Sequence, residues 1–353
     1  MYDQLCSWDN LLRAYRKASK GKRGQACAAA FEHRLEDELL ALQRALREFT
    51  YRPGPYVSFH IHEPKRRLIS AAPFRDRVVH HGLCNLIEPV FEKSFIEDSY
   101  ANRLHKGTHR ALNRVQHFAR RYSHVLQCDL RQFFPSIDHA ILREILARPI
   151  MDSRVLWLID RILESGRGLL TDEYEMVYFA GDNLFAVNRP RGLPIGNLTS
   201  QFWANVYLNP FDHFVKRTLR CKAYVRYVDD FLLFAEDKAT LWRWKQALEE
   251  RLEGLRLTLH SGSHPRPVIE GIGFLGFRVF PDRRRLKRRK GIYFQRRLRT
   301  LVAAGRASCL PFADVTASVT GWVNHVRYAN TIGLRKSVFR NSSPSRRKTT
   351  CPR

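Results

Sequence analysis

This sequence predicts an α+β fold in which an antiparallel sheet packs on helices, and three observations lead to that class. Stretches of helical period alternate with short runs rich in Val, Ile, Phe and Tyr, as a mixed architecture requires. Two apolar arms, YVRYV and FLLFA, flank Asp229 and Asp230, the pattern of an antiparallel hairpin with an acidic tip. Hydrophobic residues fill 44% of 353 positions, enough for two or three structural units around a sizeable core.

Taken in order, Leu35, Leu39, Leu42 and Leu46 recur at the spacing of one helix face and predict an amphipathic helix over 31–49. Pro53, Gly54 and Pro55 break it, and YVSFHIHEP then alternates apolar and polar residues as a half-buried strand does. A basic turn, Lys65-Arg66-Arg67, follows. Helical period resumes over 76–91, and Gly107-Thr108 opens a further helix through Phe118. Val125, Leu126 and Cys128 predict a buried strand ending at Asp129, while Ser136 and Asp138 are residue types that cap the helix HAILREIL. Residues 166–191 read as a long loop or small hairpin leading to GLPIGNLTSQ, and SQFWANVYLNPFDHFV as a helix. After the acidic hairpin come a helix over 242–252 and a strand, GFLGFRVF. Ten of the residues from Arg283 to Arg299 are Lys or Arg, interleaved with Leu286, Ile292, Tyr293, Phe294 and Leu298, which marks a boundary. Helical pattern continues to Phe339, with Trp322 and Tyr328 as packing or stacking residues, and the last stretch reads as a disordered basic tail. No internal repeat is present.

Charge narrows the partners. With 61 Lys+Arg against 34 Asp+Glu the chain carries a formal +27, an excess that points to nucleic acid. No run approaches the roughly 18 apolar residues of a membrane span, no lipidation pattern occurs, and MYDQLCSWDN lacks the features of a signal peptide, so a cytoplasmic protein with no membrane partner is expected. Seven scattered cysteines without a C-x-x-C pair read as reduced packing residues, and the 14 histidines form no zinc motif.

The chemistry lies in the carboxylates. Asp129 ends an apolar strand, and Asp229 and Asp230 sit between arms apolar enough that repulsion and desolvation call for a divalent cation. Mg²⁺ suits such oxygen ligands, with Mn²⁺ as an alternative. Two ions about 3.5–4 Å apart activate a primer 3′-hydroxyl and stabilise departing pyrophosphate, so Asp129, Asp229 and Asp230 are the candidate catalytic and metal-binding residues. Asp138 is read as a helix cap and left out of the site.

DLRQFF from Asp129, GLPIGNLTSQ from Gly192 and YVDD from Tyr227 follow the order of the palm motifs of reverse transcriptases, and the chain resembles that family over 51–328. The resemblance implies a right-hand polymerase fold of fingers, palm and thumb and RNA-directed DNA polymerase activity. On it, fingers take 1–120, with 145–190 returning to them; the palm takes 121–144 and 191–281, the thumb 282–340, and the tail 341–353. Phe134 matches the steric gate that excludes ribonucleotides, and Lys65 and Arg67 match the basic turn that reaches the incoming deoxynucleoside triphosphate, with Arg66 sharing the task. Ile195 and Gly196 belong to the nucleotide-binding turn. Most of the family carries Gln where this chain has Ile195 and Pro where it has Gln201. That pair of template or fidelity positions is similar to diversity-generating retroelements, whose polymerases misincorporate opposite template adenines. FLGFRVF and GWVNHVRYAN are similar to the same group. The partners so implied are a template RNA, a primer or cDNA strand and a small helical-bundle accessory protein, in a bacterial or phage-encoded system. Other bacterial reverse transcriptases (retron, group II intron-like, phage defence) and an inactive RNA-binding scaffold are the alternatives.

Overall fold

The computed structural model describes residues 1–62, 66–307 and 310–340. Lys65, Cys309, Cys351 and the basic tail lie outside the described residues. The chain divides into two compact units, each assembled from separated segments: 1–107, 127–233 and 242–264 form the first, and 108–126, 234–241 and the residues from 265 onward the second.

In the first unit, helices α1 (Tyr2–Leu5), α2 (Trp8–Ser19), α3 (Ala26–His33) and α4 (Leu35–Arg47) precede a hairpin of β1 (Val57–Ile61) and β2 (Arg67–Ala71), followed by α5 (Phe74–Glu92). The expected single helix over 31–49 is two helices, because the chain leaves helical geometry at Arg34 (φ −121°, ψ 39°). Helix α5 packs against α2, where Asn10 Nδ2 donates to the carbonyls of Leu5 and Gly82. The chain then enters the second unit with α6 (Thr108–Ala119), and strand β3 (His124–Asp129) carries it back into the first. Next come α7 (Phe133–Ser136), α8 (His139–Ala147), α9 (Ser153–Ser165), α10 (Leu198–His213), β4 (Tyr224–Tyr227), β5 (Asp230–Ala235) and α11 (Lys238–Glu253).

The sheet order is β4-β5-β3-β6, with β6 at Pro265–Pro267; β4 pairs antiparallel with β5, and β3 with β6. Consecutive residues of these strands are buried, Val125, Leu126 and Cys128 in β3 and Phe231, Leu232 and Leu233 in β5, so both faces are covered and the sheet is anchored by its apolar side chains while its acidic residues collect at strand ends. In the second unit GFLGFRVF is not one strand. It folds back as β7 (Ile272–Phe274) and β8 (Phe277–Val279), because Leu275 (φ 47°) and Gly276 (φ 88°) form a two-residue turn with both φ values positive, as tight hairpins require. Strand β9 (Arg284–Leu286) completes this sheet. The basic strip continues into α12 (Arg288–Arg306), followed by α13 (Phe312–Val326) and α14 (Ile332–Arg340). Trp322 stacks on Phe294 at 4.1 Å, so it is a packing residue, in a small core with Leu298 and Val338.

Residues 166–191 form no hairpin; two 3₁₀ turns, Thr171–Glu173 and Leu184–Asn188, punctuate a loop. Asp138 holds that loop. Its Oδ1 accepts from the amides of Ala140 and Ile141 to cap α8, and its Oδ2 accepts from Arg189 at 2.8 Å. Arg256 reaches the same carboxylate at 3.7 Å and also pairs with Asp182. Ser136, expected beside Asp138 as a cap, instead ends α7 and donates to the Gln132 carbonyl. Replacing Asp138 by Ala removes a cap and takes the carboxylate from the exposed Arg189, while Arg256 keeps Asp182, so urea unfolding is expected to show a loss of about 1–2 kcal/mol.

Candidate active site

Strand β3 ends at Asp129 because its backbone is fixed there from the neighbouring segment: the Asp129 carbonyl accepts from the His260 amide at 2.9 Å, and the Arg131 amide donates to the Thr258 carbonyl at 2.9 Å. The second acidic position comes from the β4–β5 hairpin. Tyr227 pairs with Asp230, leaving Val228 and Asp229 as a two-residue turn. Val228 has φ +58°, a left-handed conformation that a β-branched residue adopts only under constraint.

The constraint is Arg226, 1% exposed. Its guanidinium donates to both oxygens of Asp212 on α10 (2.8 and 2.6 Å), to Asn205 Oδ1 (3.0 Å) and to the carbonyl of Val228 (3.0 Å). Tyr224 donates to Asp212 as well, at 2.8 Å. The Arg226 backbone is gripped too, its amide by the Asp98 carbonyl and its carbonyl by the Tyr100 amide. A buried ion pair in which each guanidinium nitrogen donates thus clamps the turn that presents Asp229.

Asp129 and Asp229 line one cleft of about 580 Å³. Around them stand Arg66 and Arg67 from the β1–β2 hairpin, Phe134 from α7, and Ile195, Gly196 and Gln201 from the turn before α10 and its first residues. Asp230 is not among the lining residues; it accepts from Gln127 Nε2 at 3.2 Å, since successive strand residues point to opposite faces. Burial and the neighbouring Asp129 carboxylate raise Asp229 from 3.8 to about 6, with Arg67 and Arg226 acting against them. Two oxygen donors that repel one another on a half-buried floor fit a hard divalent cation. Among the described residues no group of three or more His, Cys, Asp or Glu is arranged around a metal position. The cleft also gathers Glu173, outside any motif and 3.5 Å from His60 Nε2, and Gln132 of DLRQFF, whose side chain donates to the Glu173 carbonyl and accepts from the Glu175 amide.

The family described as reverse transcriptase (RNA-dependent DNA polymerase) matches residues 61–264, which include every strand and turn that lines this cleft. The chain belongs to the reverse transcriptases. Among curated proteins, this reverse transcriptase is 27% identical to protein YkfC of Escherichia coli (strain K12) over 71% of this chain and 74% of that one. It is 25% identical to the group II intron-encoded protein LtrA of Lactococcus lactis subsp. cremoris over 51% of this chain and 28% of LtrA. Among solved structures, a telomerase from Candida albicans with a fragment of telomeric RNA aligns at 13% identity and a TM-score of 0.43, over 67% of this chain and 46% of its own. The chain therefore spans most of YkfC but about a quarter of LtrA and under half of the telomerase.

In this reverse transcriptase the residues missed by sequence reasoning are those that hold the site. Arg226 had a signal, a cation inside the apolar arm YVRYV, but its partner Asp212 lies in the last turn of α10 with nothing to mark it.

Two outcomes follow. A carboxyl whose folded value lies above its unfolded one favours the fold when protonated, so its contribution is present at low pH and lost as pH rises through about 6. Thermal melts of the metal-free protein from pH about 5 to about 7.5 should fall more steeply for the wild type than for Asp229→Asn; parallel curves would remove the Asp129–Asp229 repulsion. Second, Arg226→Lys keeps the charge but loses the planar fork, and primer extension on RNA is expected to drop about tenfold. Adding Val228→Gly, which takes positive φ without strain, should recover part of that loss.

Proposed function

We propose that this chain synthesises cDNA on a retroelement template RNA, by phosphoryl transfer at Asp129 and Asp229, and that it is error-prone opposite template adenines. The observation that carries the polymerase chemistry is the convergence of Asp129 and Asp229 on one cleft with Arg67, Phe134 and Ile195. These two carboxylates would hold Mg²⁺, and Asp230 stands next to them as the third acidic residue of the set. Bound there, Mg²⁺ supplies Lewis acidity to a primer 3′-hydroxyl and to the leaving pyrophosphate. Arg66 and Arg67 offer fixed positive charge to the triphosphate, and the Phe134 ring excludes a ribose 2′-hydroxyl. Lys65 belongs to the same basic turn and keeps its role as an expectation.

Relaxed selectivity rests on Ile195. An aliphatic side chain in place of an amide cannot hydrogen-bond a base or its sugar, so it removes one means of rejecting a mispair. The sequence I-G-N-L-T-S-Q supports a diversity-generating role, with a structured template RNA and a small helical-bundle accessory protein as partners. The match to LtrA supports a second reading, a group II intron-like enzyme that copies its template without adenine bias.

Sequencing cDNA made from a defined RNA template separates them. The expected result is substitution concentrated at template adenines, reduced by Ile195→Gln and abolished with all synthesis by Asp229→Ala. Uniformly accurate cDNA would favour the intron-like reading, undiminished synthesis by Asp229→Ala would remove Asp229 from the chemistry, and no synthesis by the wild type would leave a nucleic-acid-binding scaffold.

A further inference from the structure

Asn197 occupies the N-cap position of α10, where an Asn side chain ordinarily accepts a hydrogen bond from the first turn of its own helix. It makes no such bond. The side chain, 2% exposed, turns to strand β2 instead. Its Oδ1 accepts from the Ala72 amide at 3.0 Å, while its Nδ2 donates to the Ser70 carbonyl at 2.8 Å and to the Pro194 carbonyl at 3.1 Å. Two residues earlier the contact is made by backbone, the Ser70 amide donating to the Ile195 carbonyl at 2.9 Å. The carboxamide thus extends a strand-like ladder along the outer edge of β2, taking the part a peptide group would take in the next strand.

Between these bonds the two segments are in tight register. Gly196 sits at φ +118°, and a Cβ there would lie 3.0 Å from Ile69 Cγ2 on β2. The same β2 begins at Arg67, and the same turn carries Ile195; both side chains line the cleft. A displacement of one segment along the other would therefore move a cation of the nucleotide site against the side chain proposed to face the nascent pair.

We infer that Asn197 is a positioning residue for nucleotide selection: it fixes the Ile195-Gly196 turn to the β1–β2 hairpin, and so sets how closely the cleft tests the incoming base. The inference rests on the proposed placement of the nucleotide in this cleft. It asks nothing of helix α10, because the bonds that would stabilise that helix are the ones Asn197 forgoes.

Asn197→Ser separates clasp from scaffold. Serine is as good an N-cap as Asn, so α10 keeps or gains its cap, whereas the short hydroxyl cannot span to both Ser70 and Ala72. Single-nucleotide incorporation on primed RNA, with correct and mismatched deoxynucleotides, gives kcat and KM for each. The expected result is a thermal midpoint lowered by a few degrees, because the Ala72 amide and the Ser70 carbonyl lose a buried partner, together with a ratio of correct to incorrect kcat/KM lowered by about fivefold or more. Asn197→Asp, which sets a carboxylate against the Ser70 and Pro194 carbonyls, should lower the ratio further. An unchanged ratio in both variants overturns the inference, as does a proportional loss with correct and incorrect nucleotides alike. Ile195→Gln, measured alongside, tells the failures apart. If it shifts the ratio while the Asn197 variants do not, the nucleotide reading stands and the clasp fails; if none of the three shifts it, the placement of the nucleotide fails first.

Discussion

A guanidinium sealed from water between a hairpin and a helix is the interaction on which the candidate site depends. Burying Arg226 and Asp212 is tolerable because the two pair through both carboxylate oxygens, with Tyr224, Asn205 and the Val228 carbonyl taking further bonds of the set. The return is geometric. The pair holds Val228 in a conformation its side chain resists, and that conformation aims Asp229 into the cleft while Asp230 faces Gln127. Position is bought by satisfied polarity, and the cleft then receives two carboxylates whose repulsion suits a cation.

The same economy of means recurs on the opposite wall. Asn197 and Arg226 are both buried polar residues next to, but not within, the lining of the cleft. Each reaches a backbone carbonyl of a residue that does line it or adjoins it: Val228 in one case, Pro194 in the other. Side chains that touch substrate are few; side chains that fix the backbone behind them are buried and polar.

Much of this was legible in the sequence. Period and turn chemistry located the β4–β5 hairpin, the strand ending at Asp129 and most helices, because each is set by local pattern. The family follows from motifs that lie in the matched region. What failed did so for local physical reasons. Arg34 breaks a helix that its leucine spacing continues, since spacing reports burial and not backbone angle. The turn at Leu275-Gly276 was hidden because Leu rarely takes positive φ, so FLGF read as unbroken strand. Ser136 and Asp138 are both capping types, and only three-dimensional position decides which one caps. The support for the site was the least legible part, since Asp212 lies 14 positions from Arg226 and Asn197 is 125 from Ala72, separations that no periodicity encodes.

Neither compact unit is a continuous stretch of chain, and strands β3 and β5 each begin in one and end in the other. A ribosome must therefore release residues through 264 before the first unit has all its parts, although its opening segment emerges early. Loop closures over such distances are slow and entropically costly, which makes this a chain for which late synthesis governs folding. Heredity meets the same constraint. A single crossover within 108–264 divides both units at once, so it cannot exchange one of them and leave the other whole.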